Sequence, residues 1–503
     1  MEGGRGDGEA IALQPHKLND GRRQCSAVQL AYTWFPGYMH PACRNYPDLP
    51  DQVSIRRTLA LSLTTQTFSR RFTSSRIRAG RILVLKQNQC RTAAEWNPPK
   101  KENGMRCRTM TLLCGIMASV LLAGTTATAA TTQSDSLETS IRQHMAEAGI
   151  MGIGAAIIVD NRLAWSKGYG WADKARQRPF TPDTVMNIGS ISKTVTGMAM
   201  MRAVQDGKLS LDADINAYLP FKIRNQFYPN ASITLRQLAT HTASLTDRWA
   251  VYQNTYYYNG DEPEALADFL RGYFTPGGAH YAIENFLNHM PGTHREYSNI
   301  GAALAGYIVE RAVGEPLNSY TRRHFFEPLL MQNSSWSLSE IGENRHATLY
   351  IAQNELTTPI PLYRSTTYPD GGLRTSVSDL SKLFIALLNG GSYNGTRILD
   401  EAMVAEMLRF QYTDGNKPAN VDLKEDNAGL FWSTKFNVTR IGHGGTDPGL
   451  KTEMLASLDK DVGLVLFSNT SLSGEAMRHY IAIFRELWQY AESLKANRDS
   501  SAP

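Results

Sequence analysis

The chain has 503 residues, 42% of them hydrophobic and 20% charged, the composition of a soluble globular protein with room for two or three domains. Its net charge of +5 hides two unlike parts: residues 1–129 hold 18 Lys+Arg against 8 Asp+Glu, and residues 130–503 hold 34 against 39. A mildly acidic body carries no electrostatic footprint for nucleic acid, so no nucleic-acid partner is expected. All five cysteines (Cys25, Cys43, Cys90, Cys107 and Cys114) precede residue 115. No disulfide framework, zinc site or cysteine nucleophile is therefore read in the body, and no metal or cofactor is expected.

Residues 1–104 show no sustained periodicity and scatter many arginines, which reads as an upstream over-extension or a disordered basic segment. Residues 105–130 read as a secretory signal peptide. Met105-Arg-Cys-Arg is a short basic start, Thr111 to Ala123 is an uncharged apolar core, and Ala127-Thr-Ala129 is a cleavage-site pattern. The apolar run of about 13–15 residues is short for a bilayer span, so no stable membrane span is expected after cleavage. The expected location is secreted, in a bacterial periplasm, with Met105 as the start.

Within the body, Gly152–Val159 and Arg162–Tyr169 read as two strands joined at Asp160-Asn161. Ser190 to Leu209 reads as a helix with Met198, Met201 and Val204 on its apolar face. Helical patterns then dominate to about residue 345, including 300–313, so a helical lobe is expected over about 195–345. Asp370-Gly-Gly372 predicts a tight turn, and Ser376 with Asp379 predicts a capped helix ending before Gly390-Gly391. Strands return at Lys451–Ser457 and Val462–Ser468. Ser473 opens an amphipathic last helix carrying Met477, Ile481, Phe484 and Trp488, followed by a tail over 491–503 whose polar end from Lys495 to Pro503 is expected to fray. Strands at both ends with helices between predict an α+β domain: an antiparallel sheet flanked by helices, an inserted all-helical lobe, and a cleft between the two.

Three motifs carry the chemistry. Ser190-Ile-Ser-Lys193 places a hydroxyl and an amine on one helix face, with the serine at the positive helix N-terminus. The ammonium, or the amine it becomes if burial lowers its pKa, lies within reach of that hydroxyl. Tyr297-Ser-Asn299 opens a second helix, and His443-Gly-Gly445 precedes a strand. Each residue has a plain alternative: a solvated lysine, a core tyrosine, a turn histidine. There is no G-x-S-x-G of an α/β-hydrolase and no H-E-x-x-H of a metallohydrolase.

In this order and spacing the motifs resemble the serine hydrolase family of class C β-lactamases, D-alanyl-D-alanine carboxypeptidases (penicillin-binding-protein type) and related esterases. The resemblance covers residues 135–490 and extends to Ile233–Leu245, Pro291-Gly-Thr293, Glu327-Pro-Leu329 and Gly371-Gly-Leu373. It implies a β-lactamase/transpeptidase-like fold and a serine acyl-enzyme. Ser190 would be the nucleophile, Lys193 its activator and Tyr297 the general base or proton relay. Asn299 would hold the substrate amide and orient Lys193, while the backbone N–H groups of Ser190 and Thr446 would form the oxyanion hole.

His443 and Gly445 would line the substrate, with glycine letting the strand approach it. His443 stands where many members carry lysine, so its charge is expected to change near pH 6.5. The expected substrate is a small molecule or peptide: a D-Ala-type peptide, a small ester or a β-lactam. A class C β-lactamase proper and a non-catalytic penicillin-binding homologue are the alternatives. His241 reads as a packing residue, the aromatics between Trp249 and Phe286 as either cleft wall or lobe core, and Lys451-Thr-Glu453 as a decoy. The oligomeric state is not legible.

Overall fold

The computed structural model describes residues 134–258, 263–353 and 356–501. The expected signal peptide and residues 1–104 lie outside the described residues. The centre of the body is a seven-stranded antiparallel sheet built from both ends of the sequence. Its strands are β1 (Gly152–Val159), β2 (Arg162–Asp173), β3 (Arg178–Pro179), β4 (Ser433–Lys435), β5 (Arg440–Asp447), β6 (Leu450–Ser457) and β7 (Val462–Ser468), in the spatial order β4-β5-β6-β7-β1-β2-β3. Asp160 and Asn161 have φ of 48° and 59°, the left-handed pair that closes a two-residue hairpin. β1 pairs with β7 in register from Ile153 opposite Ser468 to Val159 opposite Val462. All eight β1 residues are buried, as a central strand covered on both faces requires.

One face is covered by α1 (134–148) and by the last helix. Ile153, Ala155, Ile157, Val159, Leu464 and Leu466 pack there against Ile141, Met145, Tyr480, Ile483 and Leu487. The other face, with Ala156, Ile158, Met454, Val465 and Phe467, packs against the helical body. There α2 (Ser192–Gln205), α3 (Asn299–Val313) and α4 (Val377–Leu388) form the main layer. In α2 even Lys193, Thr194 and Thr196 are buried, so it is an interior helix and not the one-sided helix expected from Met198, Met201 and Val204. Its first turn is a separate 3₁₀ turn, Gly189–Ile191, carrying Ser190. Ser376 caps α4 by accepting the Asp379 N–H, as its spacing predicts.

Two expectations are corrected. The segment about 195–345 is not purely helical: Tyr256–Tyr258 is a short strand pairing with Tyr363–Ser365. The chain does not fray at Lys495; the last helix, α5, runs from Gly474 to Ser501. Lys495 pairs there with Asp461, and Arg498 donates to the Val159 carbonyl, tying this end to the β1 and β7 hairpin tips. No helix among the described residues is long and apolar enough to cross a membrane.

Candidate active site

Ser190 follows an unusual piece of backbone. Gly189 before it has φ +55°, a conformation that favours glycine. An ideal Cβ built there would stand 3.2 Å from the Thr446 amide nitrogen, so β5 runs directly alongside the Ser190 turn. This brings the Thr446 N–H into the neighbourhood of the Ser190 N–H, the two donors expected of an oxyanion hole. A Cβ at Gly445 would meet the Ile188 carbonyl at 2.2 Å and Thr452 Oγ1 at 2.3 Å. The missing side chain lets β5 close on the segment leading into Ser190.

Lys193 is fully buried. Its Nζ donates to Ser190 Oγ at 3.0 Å, to Asn299 Oδ1 at 2.7 Å and to the Asp370 carbonyl at 2.8 Å. Three donors meet three acceptors, the full complement of an ammonium. Burial alone would lower its pKa, but the adjoining Tyr297, Asp370 and Asp447 outweigh that and hold Lys193 above its usual value. Of the ammonium and the amine that the motif leaves open, the ammonium is the form held near neutrality. Nζ also lies 5.1 Å from the centre of the Tyr297 ring, within cation–π range.

Tyr297 remains 38% exposed, so its ring is open to an incoming molecule. It is clamped from within by His241, whose ring centre lies 4.4 Å from its own. His241 Nδ1 accepts the Ser298 N–H at 3.2 Å, and its carbonyl accepts the Glu296 N–H at 2.8 Å. His241 is therefore the packing residue expected, and it packs on the site itself. Burial, with Arg295, Lys193 and His443 nearby, keeps it well below the usual imidazole pKa and so neutral. With Nδ1 accepting, its proton lies on Nε2, which has no partner.

His443 is the complement. Its Nδ1 donates to the Gly444 carbonyl at 2.7 Å, leaving Nε2 as a buried acceptor without a partner. Burial, and then Lys193, push its pKa down to about 3. The expected charge change near pH 6.5 is overturned, because an imidazole enclosed beside an ammonium cannot take up a proton there.

Two elements that the motifs did not reveal complete the site. Asp247 accepts from Ser298 Oγ at 2.7 Å, Asn299 N at 2.6 Å and Ile300 N at 3.0 Å, fixing the start of α3 and hence Asn299. Two carboxyl groups and two phenols line the other side. Tyr252 donates to Asp370 Oδ1 at 3.0 Å and Tyr256 donates to Asp447 Oδ1 at 2.8 Å. Burial pushes Asp370 up to about 7 and Asp447 up to about 6. The aromatic segment thus divides: Tyr252 and Tyr256 serve this network, while Tyr273 is lobe core. Lys451 is bound to Glu453 at 2.7 Å, consistent with its reading as a decoy.

A family model described as Beta-lactamase matches residues 137–486. Protein flp of Staphylococcus aureus (strain MRSA252) is 23% identical over 339 residues, 66% of this chain and 62% of that protein. The chain thus spans about three fifths of the length of such curated relatives. Among solved structures, the β-lactamase/D-alanine carboxypeptidase of Pseudomonas syringae superposes with a TM-score of 0.55 at 21% identity, covering 71% of this chain and 99% of that one. The D-amino acid amidase of Ochrobactrum anthropi SV3 does so with 0.56 at 22%, covering 73% and 99%. These likenesses share the β-lactamase/transpeptidase-like fold, and the family match runs from α1 into α5 across every residue of the constellation. The chain belongs to the β-lactamase family of serine hydrolases.

Proposed function

We propose that this chain is an acyl-transferring serine hydrolase of esters or amides that carry no carboxylate, with small esters and D-amino-acid amides as the natural class. The observation that carries the reading is Ser190 Oγ 3.0 Å from a Lys193 ammonium that Asn299 and Asp370 hold in place. Ser190 attacks the substrate carbonyl, and the N–H groups of Ser190 and Thr446 receive the developing oxyanion. A lysine carrying all three protons is a poor base, so the Ser190 proton passes to Tyr297, the other proton-accepting side chain beside Lys193. Tyr297 returns it to the leaving amine or alkoxide. Water then attacks the acyl-serine by the same route, restoring Ser190 and releasing the acid.

The wall opposite supports substrates without a carboxylate. His443 is neutral and offers an acceptor where a permanent cation would pair with a substrate carboxylate. This disfavours the β-lactamase alternative, since penicillins and cephalosporins are anions. An extracytoplasmic location accords with the proposed leader at 105–130. The test is one panel: a short-chain nitrophenyl ester, a D-amino-acid amide, a D-Ala-D-Ala peptide, a chromogenic cephalosporin and a fluorescent penicillin, each with Ser190→Ala beside the parent chain. Ester or amide turnover that disappears in the variant is expected. Equal turnover in both would remove Ser190 from the mechanism, and fast cephalosporin turnover would favour the β-lactamase.

A further inference from the structure

The seam between α1 and α5 carries a second cluster of chemistry-bearing side chains, on the sheet face opposite α2. Ser140, His144 and Glu147 follow one another at four and three residues and so share one face of α1. His479 and Glu486, seven apart, share a face of α5. Ile141, Met145, Tyr480, Ile483 and Leu487 form the buried floor of this seam, and the polar atoms meet at its rim.

Three of those atoms converge closely. His144 Nδ1 lies 3.0 Å from His479 Nδ1. His479 Nδ1 lies 3.2 Å from Glu147 Oε2, and His144 Nδ1 lies 3.7 Å from that same oxygen. The triangle has a mean side of about 3.3 Å. Tetrahedral zinc with bonds of about 2.0–2.1 Å sets its ligand atoms about 3.3–3.4 Å apart, so these atoms match one face of such a site. The outer nitrogen of His144 faces Glu486 Oε1 at 3.5 Å, and Ser140 Oγ donates to that oxygen at 2.7 Å. A ligating histidine commonly has a carboxylate behind it in this way. Glu486 Oε2 is buried with no partner of its own. A bond between two imidazoles explains one side of the triangle. It does not explain why a carboxylate joins both rings while a second carboxylate backs one of them.

We infer that His144, Glu147 and His479 form a zinc site that clips the first helix of the body to its last. Glu486 orients His144 from behind, and water takes the remaining coordination position. Two imidazoles and one carboxylate suit a borderline ion and not a hard one such as magnesium. The expectation of no metal rested on the absence of cysteine and of H-E-x-x-H, and a site shared between two distant helices escapes both tests.

The experiment uses the full chain, stripped by a chelator, dialysed against zinc chloride and analysed for bound metal, with a melting curve beside it. One zinc per chain is expected, with a rise of a few degrees in melting temperature that magnesium does not produce. His479→Ala should lose both, and Glu147→Gln should weaken zinc at least tenfold, the order expected for loss of a ligand. Ester hydrolysis should be unchanged in either variant, since the seam lies across the sheet from Ser190. If His479→Ala does not fold, the near-isosteric Glu147→Gln decides alone. The inference is overturned if the parent chain binds less than a tenth of an equivalent. It is equally overturned if full binding survives in the variants, as it would were zinc held by the stacked His289 and His294.

Discussion

On one face of the central sheet, α1 and α5 bury a mostly apolar layer and keep their charges at the rim, where Lys495 meets Asp461 and Arg498 meets Asp160. On the other, Lys193, His241, His443 and Asp370 are all withdrawn from water within one neighbourhood, with Asp447 partly so. Apolar burial stabilises a fold with little demand on geometry, whereas a buried charge is tolerable only when its partners are placed for it. Lys193 fits that condition with three acceptors. Asp370 fits it only in part, since Oδ2 has no partner and the acid is driven towards its neutral form. The first face is built for stability; the second gives up stability to hold reactive groups.

Substitutions on the two faces should therefore differ in kind. The largest effect is expected from Ser190→Ala and Lys193→Met, which should lower kcat/KM for ester hydrolysis by about 10³-fold or more. Melting of Ser190→Ala should stay close to the parent, which circular dichroism checks. Tyr297→Phe should follow, with a loss of about 10²–10⁴-fold, the range for a positioned acid–base group. Its signature is a fall in kcat with KM little changed, measured by steady-state kinetics.

Asp370→Asn tests the strained carboxyl through pH. The folded protein binds the Asp370 proton up to about pH 7, whereas the unfolded chain releases it near 3.8. The folded state thus holds more protons between those values, and this contribution to stability is lost as pH rises from about 4 to 7. Asparagine has no such loss. The variant should gain on the parent by up to about 4 kcal/mol between pH 4 and pH 8. Denaturant melts at the two pH values measure the difference, and a constant offset would contradict the burial argument.

His443→Lys should sharpen the electrostatic reading. A permanent cation there should raise acylation by an anionic penicillin about tenfold relative to a neutral ester, equivalent to about 1.4 kcal/mol. Competition labelling measures the ratio. The smallest effect belongs to the rim: Lys495→Ala should cost less than about 1 kcal/mol and vanish in high salt.

Much of the reactive face was legible because its side chains come in short local motifs. Ser190 and Lys193 are one helical turn apart, and Tyr297 and Asn299 share one loop. What escaped was carried by backbone or by distance. The Asp370 carbonyl that holds Lys193 looks like any other in a turn, and Asp247 lies about fifty residues before the N–H groups it binds. The pKa directions also depended on assembly: Lys193 moved opposite to the direction burial alone gives because Tyr297, Asp370 and Asp447 surround it. In the fold, turns and caps such as Asp160-Asn161 and Ser376 follow from local chemistry. The register of α5 follows only in part: Phe484 and Trp488 are buried and Met477 packs beside them as expected, but Tyr480, Ile483 and Leu487 fill the seam and Ile481 does not.

The pairing of Ile153 with Ser468 has a consequence for how the molecule comes into being. A ribosome releases β1 long before β7, so the middle strand waits unpaired along one edge while some three hundred residues are added. The nascent chain must therefore stay open until translation is nearly over, and a stop codon anywhere before β7 would leave an exposed sticky edge in place of an enzyme.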